Sequence, residues 1–376
     1  MINLLLKLGG LQAILLAFLL FKKKANNLAN IVLAILIVLL GFSCLMYSFN
    51  NLEFYLKYPH AIRVDWGIPL LFGPLIYLYI IVLIDKKKWS KKDYLHFFPY
   101  LINLFILAPF FIKSSEEKIA ILDYFTTSIT QGTDLYFFYS FILRLAISVI
   151  SFLYAFESIK ILRSYRSRLL NEYSSTEKIK LEWLRTLLYS FMFVSFVFIV
   201  ASLITKGDRY PQFDYNIYYF FSIFILIYFM SYKALSQPKL IQLYNFDYEF
   251  EVTPKLKIPE KQNDLSDGVK KLKQYMLKEK SFLNGELTAS ELAKELNISR
   301  HQLSRLLNEK LGKNFYDFIN EYRVEEFKRR LKLPENDQLT LLGIAFDSGF
   351  NSKTTFNTII KRSTGLTPSQ YKKSLK

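Results

Sequence analysis

Residues 344–371 read IAFDSGFNSKTTFNTIIKRSTGLTPSQY, and their spacing decides the fold of the C-terminal part of this chain. Ile344-Ala345 starts a helix. Gly349-Phe350 marks a tight turn, Ser352 is an N-cap, and the next helix runs from Lys353 to about Ser363. Upstream, residues 288–314 (TASELAKELNISRHQLSRLLNEKLGKN) repeat the plan. Thr288 and Glu291 form a capping box ahead of a helix over 289–296, which buries Leu292, Ala293 and Leu296. Ala293 is small where a second helix must cross closely. Asn297-Ile298 makes the turn, and Ser299 caps a helix from Arg300 to about Lys310 with Leu303, Leu306 and Leu307 inward. Phe356 stands four residues after Ser352, as Leu303 stands four after Ser299. Gly365 stands nine after Phe356, as Gly312 stands nine after Leu303. Two copies with matched spacing point to two helix-turn-helix units far more firmly than either copy alone.

Between the copies, Phe315 to Leu331 predicts one long helix with Phe315, Phe318, Ile319, Tyr322 and Phe327 as its apolar stripe. Ahead of them, Val269, Leu272, Tyr275 and Met276 predict an amphipathic helix up to about Lys280. The segment 269–376 holds 21 Lys/Arg against 12 Asp/Glu, a net +9 that suits a polyanion. A rigid connecting helix would hold the two recognition helices apart. To read one face of a duplex they should enter major grooves roughly 34 Å apart.

The run Glu291-Leu292-Ala293, Ser299, Leu303-Ser304-Arg305, Gly312, Asn314-Phe315 and Asn320-Glu321-Tyr322-Arg323 resembles the AraC/XylS family of transcription regulators. So does Ile344-Ala345, Gly349-Phe350, Phe356, Lys361-Arg362 and Gly365-Leu366-Thr367-Pro368-Ser369-Gln370-Tyr371. The likeness covers about 280–374. Leu307 and Ile360 stand where the family usually has an aromatic, and Thr358 where it usually has a base. The resemblance implies a bipartite DNA-binding domain that recruits or positions RNA polymerase. The N-terminal part looks like that of membrane-bound members of the family, not like a soluble sugar-binding domain.

On the outward faces of the recognition helices, Arg300 suits bidentate contact with guanine, and Gln302 or Asn357 suits adenine. Lys353, Thr354, Lys361 and Arg362 suit bases or phosphates. His301, Ser304 and Arg305 complete the first face, and Asn351 and Ser352 open the second. For each residue the plain alternative is a solvated polar face. Arg323, on the connecting helix, is as suited to binding other helices as to DNA. The expected partner is double-stranded DNA, and the reading leaves room for a homodimer.

The first 232 residues have a different character. The chain is 52% hydrophobic and 17% aromatic, yet carries a net charge of +17. Apolar and basic stretches must therefore lie apart. Seven apolar runs of about bilayer length are read at 2–21, 28–49, 66–84, 95–112, 135–157, 184–205 and 214–232. Alternate loops hold fourteen Lys/Arg against six, the same side leading each time. The positive-inside rule then puts the N-terminus outside and the C-terminal domain in the cytoplasm, on the inner membrane. The expected architecture is all-α: a seven-helix transmembrane bundle (1–232), a linker (233–268) and a DNA-binding domain (269–376).

Arg144 lies near the middle of the fifth run, where a charge in lipid is costly and marks a candidate ligand site. Carbonyls, Asn103 or an anionic signal ligand could satisfy it, and a structural arginine is the plain alternative. A lone Cys44 and three scattered histidines exclude a disulfide and argue against a metal centre. No phosphate-binding loop or nucleophile motif is present, so neither an enzyme nor a cofactor is expected. The rival reading is a transporter or channel with a regulatory DNA-binding tail. Against it, only the third run is broken by Gly and Pro, without a counterpart elsewhere.

Overall fold

The computed structural model describes residues 2–22, 27–85, 90–127, 135–175, 182–207, 216–236, 264–336 and 338–375. The described residues are nearly all helical, and they contain no strand, only an isolated bridge between Tyr173 and Thr288. The chain folds as two compact units. One comprises Met1–Leu162 and Leu181–Ile241, the other Arg163–Lys180 and Gln242–Lys376.

The first unit holds α1 (Ile2–Lys22), α2 (Asn27–Ser48), α3 (Leu52–Lys57), α4 (Phe72–Asp85), α5 (Phe98–Phe111), α6 (Ser115–Thr127), most of α7 (Leu135–Glu172), α8 (Glu182–Gly207) and α9 (Asn216–Ser236). α1 packs along α2, α2 against α4 and α9, and α8 against α9. Among the described residues, five helical segments are long and apolar enough to cross a membrane: Ile2–Lys22, Leu28–Ser48, Lys91–Phe111, Phe138–Glu172 and Glu182–Val200. Two shorter apolar ones, Ile68–Ile84 and Asn216–Met230, fall at the third and seventh expected runs. The third run begins with a 3-10 turn over Ile68–Leu71, because Gly67 is left-handed at φ 85° and Pro69 supplies no N–H. Large apolar side chains also cover the outside of this unit, with Phe105 82% and Ile112 85% exposed.

The second unit holds α10 (Asp264–Glu279), α11 (Ala289–Glu295), α12 (Arg300–Arg305), α13 (Phe315–Leu331), α14 (Leu341–Asp347), α15 (Lys353–Thr364) and α16 (Pro368–Ser374). Its apolar residues form two cores. Leu272, Met276, Leu292, Leu303, Leu307, Phe315 and Phe318 build the first. Val324, Phe327, Ile344, Phe350, Phe356 and Ile360 build the second. Thus α13 spans both, as its apolar stripe predicts. The first recognition helix departs from expectation. It is α-helical only to Arg305 and continues as a π turn over Leu306–Lys310. The wider turn accompanies the burial of two consecutive leucines, Leu306 and Leu307.

Helices extend into both ends of the segment between the two parts of the chain. α9 runs on to Ser236 and α10 begins at Asp264, so both ends of the expected linker 233–268 are helical. Its middle, residues 237–263, lies outside the described residues. Residues 163–180 were counted with the N-terminal domain as a basic loop, yet they belong to the C-terminal unit. The cause is a set of specific bonds made by Glu172 to Ser175, set out below.

Candidate nucleic-acid interface

Each recognition helix is started by a serine. Ser299 Oγ accepts from Gln302 N at 3.1 Å, while Gln302 Oε1 accepts from Ser299 N at 2.9 Å. Ser352 Oγ accepts from Thr355 N at 3.2 Å. These bonds satisfy orphan N–H groups at the helix starts and fix where each helix begins. Gln302 thus spends its amide oxygen locally, and Ser352 is buried as a cap. α15 closes at Gly365, left-handed at φ 75°.

The outward faces follow from that register. Arg300 and His301 are exposed, and Gln302, Ser304 and Arg305 are half-buried. Ser304 Oγ accepts from Asn308 Nδ2 at 3.1 Å, and Arg305 pairs with Glu309 at 3.3 Å, one turn on. On the second unit Asn351, Lys353, Thr354, Asn357, Lys361 and Arg362 are all exposed. Arg362 reaches back to Asp317 near the start of α13. Both faces are therefore polar, and each sits on a core that fixes its helix.

The structure resolves the two readings of Arg323. It is 1% exposed and acts as an internal clamp. Its Nε donates to the Phe282 carbonyl at 2.9 Å, and one terminal nitrogen donates to the Asn284 carbonyl at 2.8 Å. Burial pulls its pKa down to about 10, still far above neutrality, so the charge persists. The remaining bonds go to a segment far away in sequence. The Arg323 terminal nitrogens donate to the Ser174 carbonyl and hydroxyl, each at 3.0 Å. Asn320 Nδ2 donates to the same carbonyl at 3.2 Å. Ser174 N donates to Leu287 O at 3.2 Å, alongside the Tyr173–Thr288 bridge.

Two neighbours of Ser174 reach reading residues. Glu172 forms an ion pair with Arg300, and its other oxygen accepts from Ser290 Oγ at 2.6 Å. Ser175 Oγ donates to Asn351 Oδ1 at 2.8 Å, and Asn351 Nδ2 donates to Gly285 O at 3.0 Å. Sequence reasoning missed Glu172, Ser174 and Ser175. Glu172 and Glu177 stand in a mainly basic loop, and nothing in their spacing sets Glu172 apart.

In the other unit, Arg144 is half-buried on α7. Asn103, named as a group that could satisfy it, donates to Trp66 O at 3.1 Å and accepts from Tyr139 OH at 2.5 Å. Two cations are more enclosed than Arg144. Lys118, 1% exposed, donates to Phe111 O at 2.9 Å and hydrogen-bonds His60 Nδ1 at 2.8 Å. Arg63 lies against the rings of Trp66 and Phe110. Both lie between the apolar runs, among the six Lys/Arg of the less basic loops. Among the described residues no group of three or more His, Cys, Asp or Glu could hold a metal.

Residues 292–374 match the helix-turn-helix domain family. Over these residues the chain is similar to a helix-turn-helix domain, as its two capped helix pairs require. An uncharacterized HTH-type transcriptional regulator of Staphylococcus aureus strain COL is 37% identical over 87 residues, 23% of this chain and 11% of that protein. Counterparts in strains N315 and MW2 give the same figures. The chain thus spans about a tenth of the length of the curated relatives it matches. No solved structure shows a significant match.

Proposed function

We propose that this chain is a membrane-anchored one-component transcription regulator. Its C-terminal unit binds double-stranded DNA sequence-specifically, and its N-terminal helices span the inner membrane and sense a signal. The observation that carries the reading is the pair of serine-capped helices α12 and α15, each with a polar outer face on its own apolar core. Two capped helices in one unit can present side chains to successive major grooves. Arg300, His301, Gln302, Ser304 and Arg305 serve the first groove; Asn351, Lys353, Thr354, Asn357, Lys361 and Arg362 serve the second. The regulators named in Staphylococcus aureus, similar over this domain, support the DNA-binding role.

Membrane anchoring is supported by the five long apolar segments and two shorter ones. Seven spans with the basic loops inside put the DNA-binding unit in the cytoplasm, where DNA and RNA polymerase are. Seven spans exceed what an anchor requires, and the surplus points to a sensor. Arg144 is its candidate ligand contact. No sequence feature requires catalysis or a cofactor.

Selection of duplexes from a random pool by the full-length protein in lipid nanodiscs tests the DNA role. An enriched motif with two half-sites, bound with a steep loss of affinity as salt rises, is expected. Failure to retain any duplex even at low salt would sink the reading. For the sensor, Arg144→Leu should leave insertion intact while removing signal-dependent reporter expression; normal induction would strike Arg144 from the site.

A further inference from the structure

We propose that Glu172–Ser175 is an internal ligand of the DNA-binding unit and competes with double-stranded DNA for it. This inference rests on the DNA-binding reading above. It identifies the partner of an interaction surface lying across both helix-turn-helix units: a segment of the chain's own loop between the fifth and sixth apolar runs.

The contact is built, not incidental. Ser174 is fully buried, with its carbonyl and hydroxyl both held by Arg323 and its N–H given to Leu287. Arg323 is itself enclosed, and within the rest of the DNA-binding unit it bonds the Phe282 and Asn284 carbonyls and the Asn320 amide oxygen. A buried guanidinium needs acceptors along its whole fork, and Ser174 supplies two of them. With the segment anchored there, its neighbours necessarily lie over the reading residues. Glu172 takes Arg300 and Ser290, and Ser175 takes Asn351. The first engages one helix-turn-helix unit and the second engages the other.

Two features suit the segment to competition. A carboxylate held by an arginine and a serine hydroxyl offers the chemistry of a DNA phosphate: an anionic oxygen accepting charge-assisted bonds. Glu172 is also poorly placed for its own helix. It ends α7, where the macrodipole disfavours an acid. The loop around it supplies Arg163, Arg166, Arg168, Lys178 and Lys180. α7 also carries Arg144, so the segment is covalently continuous with the proposed sensor helix.

The test uses the full-length protein in nanodiscs and a duplex enriched on it from a random pool. Amide exchange across 170–176 is followed with and without saturating duplex. Competition predicts faster exchange of this stretch on DNA, because the Ser174 N–H loses Leu287. Unchanged or slower exchange would overturn the proposal, since the segment would then be a fixed strut of the DNA-binding unit. Glu172→Gln keeps the shape of the side chain and removes its charge. It should tighten DNA binding about tenfold, with a steeper salt dependence as Arg300 becomes free for phosphate. Tighter binding with the exchange unchanged would mean that Glu172 only repels phosphate, and the proposal falls. A wild-type protein that binds no duplex at all instead defeats the DNA-binding reading itself.

Discussion

The two helix-turn-helix units turn at the same place by different means. In the first the left-handed turn residue is Asn297 at φ 53°, in the second Gly349 at φ 91°. Both turns close with the same bond: Ile298 N donates to Ala293 O at 3.0 Å, and Phe350 N to Ala345 O at 3.1 Å. Asparagine adopts this backbone readily, and Asn297 is exposed, so the first turn is satisfied by local chemistry. The second turn is not. A Cβ at Gly349 would overlap the Phe282 carbonyl oxygen and stand 2.9 Å from Leu283 Cα. The second turn is also one residue longer, since Ser352 follows Ala345 by seven positions and Ser299 follows Ala293 by six. The added residue is Asn351, which bonds Gly285 and Ser175. The first turn is thus shaped by its own backbone, and the second by contact with the segment that precedes the first unit.

The largest expected effect tests that contrast directly. Gly349→Val adds both steric overlap and a left-handed β-branched residue, and should cost more than ~4 kcal/mol, enough to unfold the second unit. Asn297→Ala should cost only ~1 kcal/mol. Peptide-resolved amide exchange on the full chain reads both. Full protection over 344–360 in the Gly349 variant would erase the distinction between the turns.

A smaller difference is expected between the two cores. Phe356 meets the rings of Phe327 and Phe350 edge-on, with centroids 4.8 and 5.4 Å apart. Leu303 packs among aliphatic and aromatic side chains contributed by α10 through α13. Phe356→Ala should therefore cost about 4 kcal/mol and Leu303→Ala about 3, since the ring pairs add to the area lost. Urea unfolding monitored by exchange in each half would rank them. A larger loss at Leu303 would mean that the first core is the more tightly packed of the two.

What could be read from sequence was local. The caps at Thr288, Ser299 and Ser352 and the left-handed Gly312 and Gly365 each act within a few residues, so type and spacing disclose them. The helix Phe315–Leu331 was legible from its stripe. The helices around the apolar runs were legible too, although proline and glycine shortened the third. The hold on Arg323 was not. Its bonds to Ser174 cross 149 positions and use a backbone carbonyl and a hydroxyl, groups that leave no compositional trace. The π turn at Leu306–Lys310 was hidden for a related reason, because consecutive buried leucines fit the pattern of a regular helix equally well. Arg63 and Lys118 were misjudged because charge placement alone says nothing of enclosure.

The smallest expected effect concerns α13, the helix both cores share. Its first half supplies Phe315, Phe318 and Ile319 to the first core, and its second half supplies Val324, Phe327 and Leu331 to the second. Glu326 belongs to that second half. Its carboxylate accepts from Arg329 at 2.9 and 2.6 Å and from Arg330 at 2.8 Å, and these bonds hold its pKa down to about 2. The unfolded chain would titrate near 4.5. The bonds therefore stabilise fully above that value and fade as pH falls through 4.5 towards 2. Arg329 is half-exposed, so solvent screening limits the effect to roughly 1 kcal/mol. Exchange over 324–331 should rise in that acid window before exchange over 288–307, and Glu326→Gln should remove the difference. If both halves of the unit lose protection together, the unit folds as one cooperative block, and the contrast between its two halves is confined to their turns.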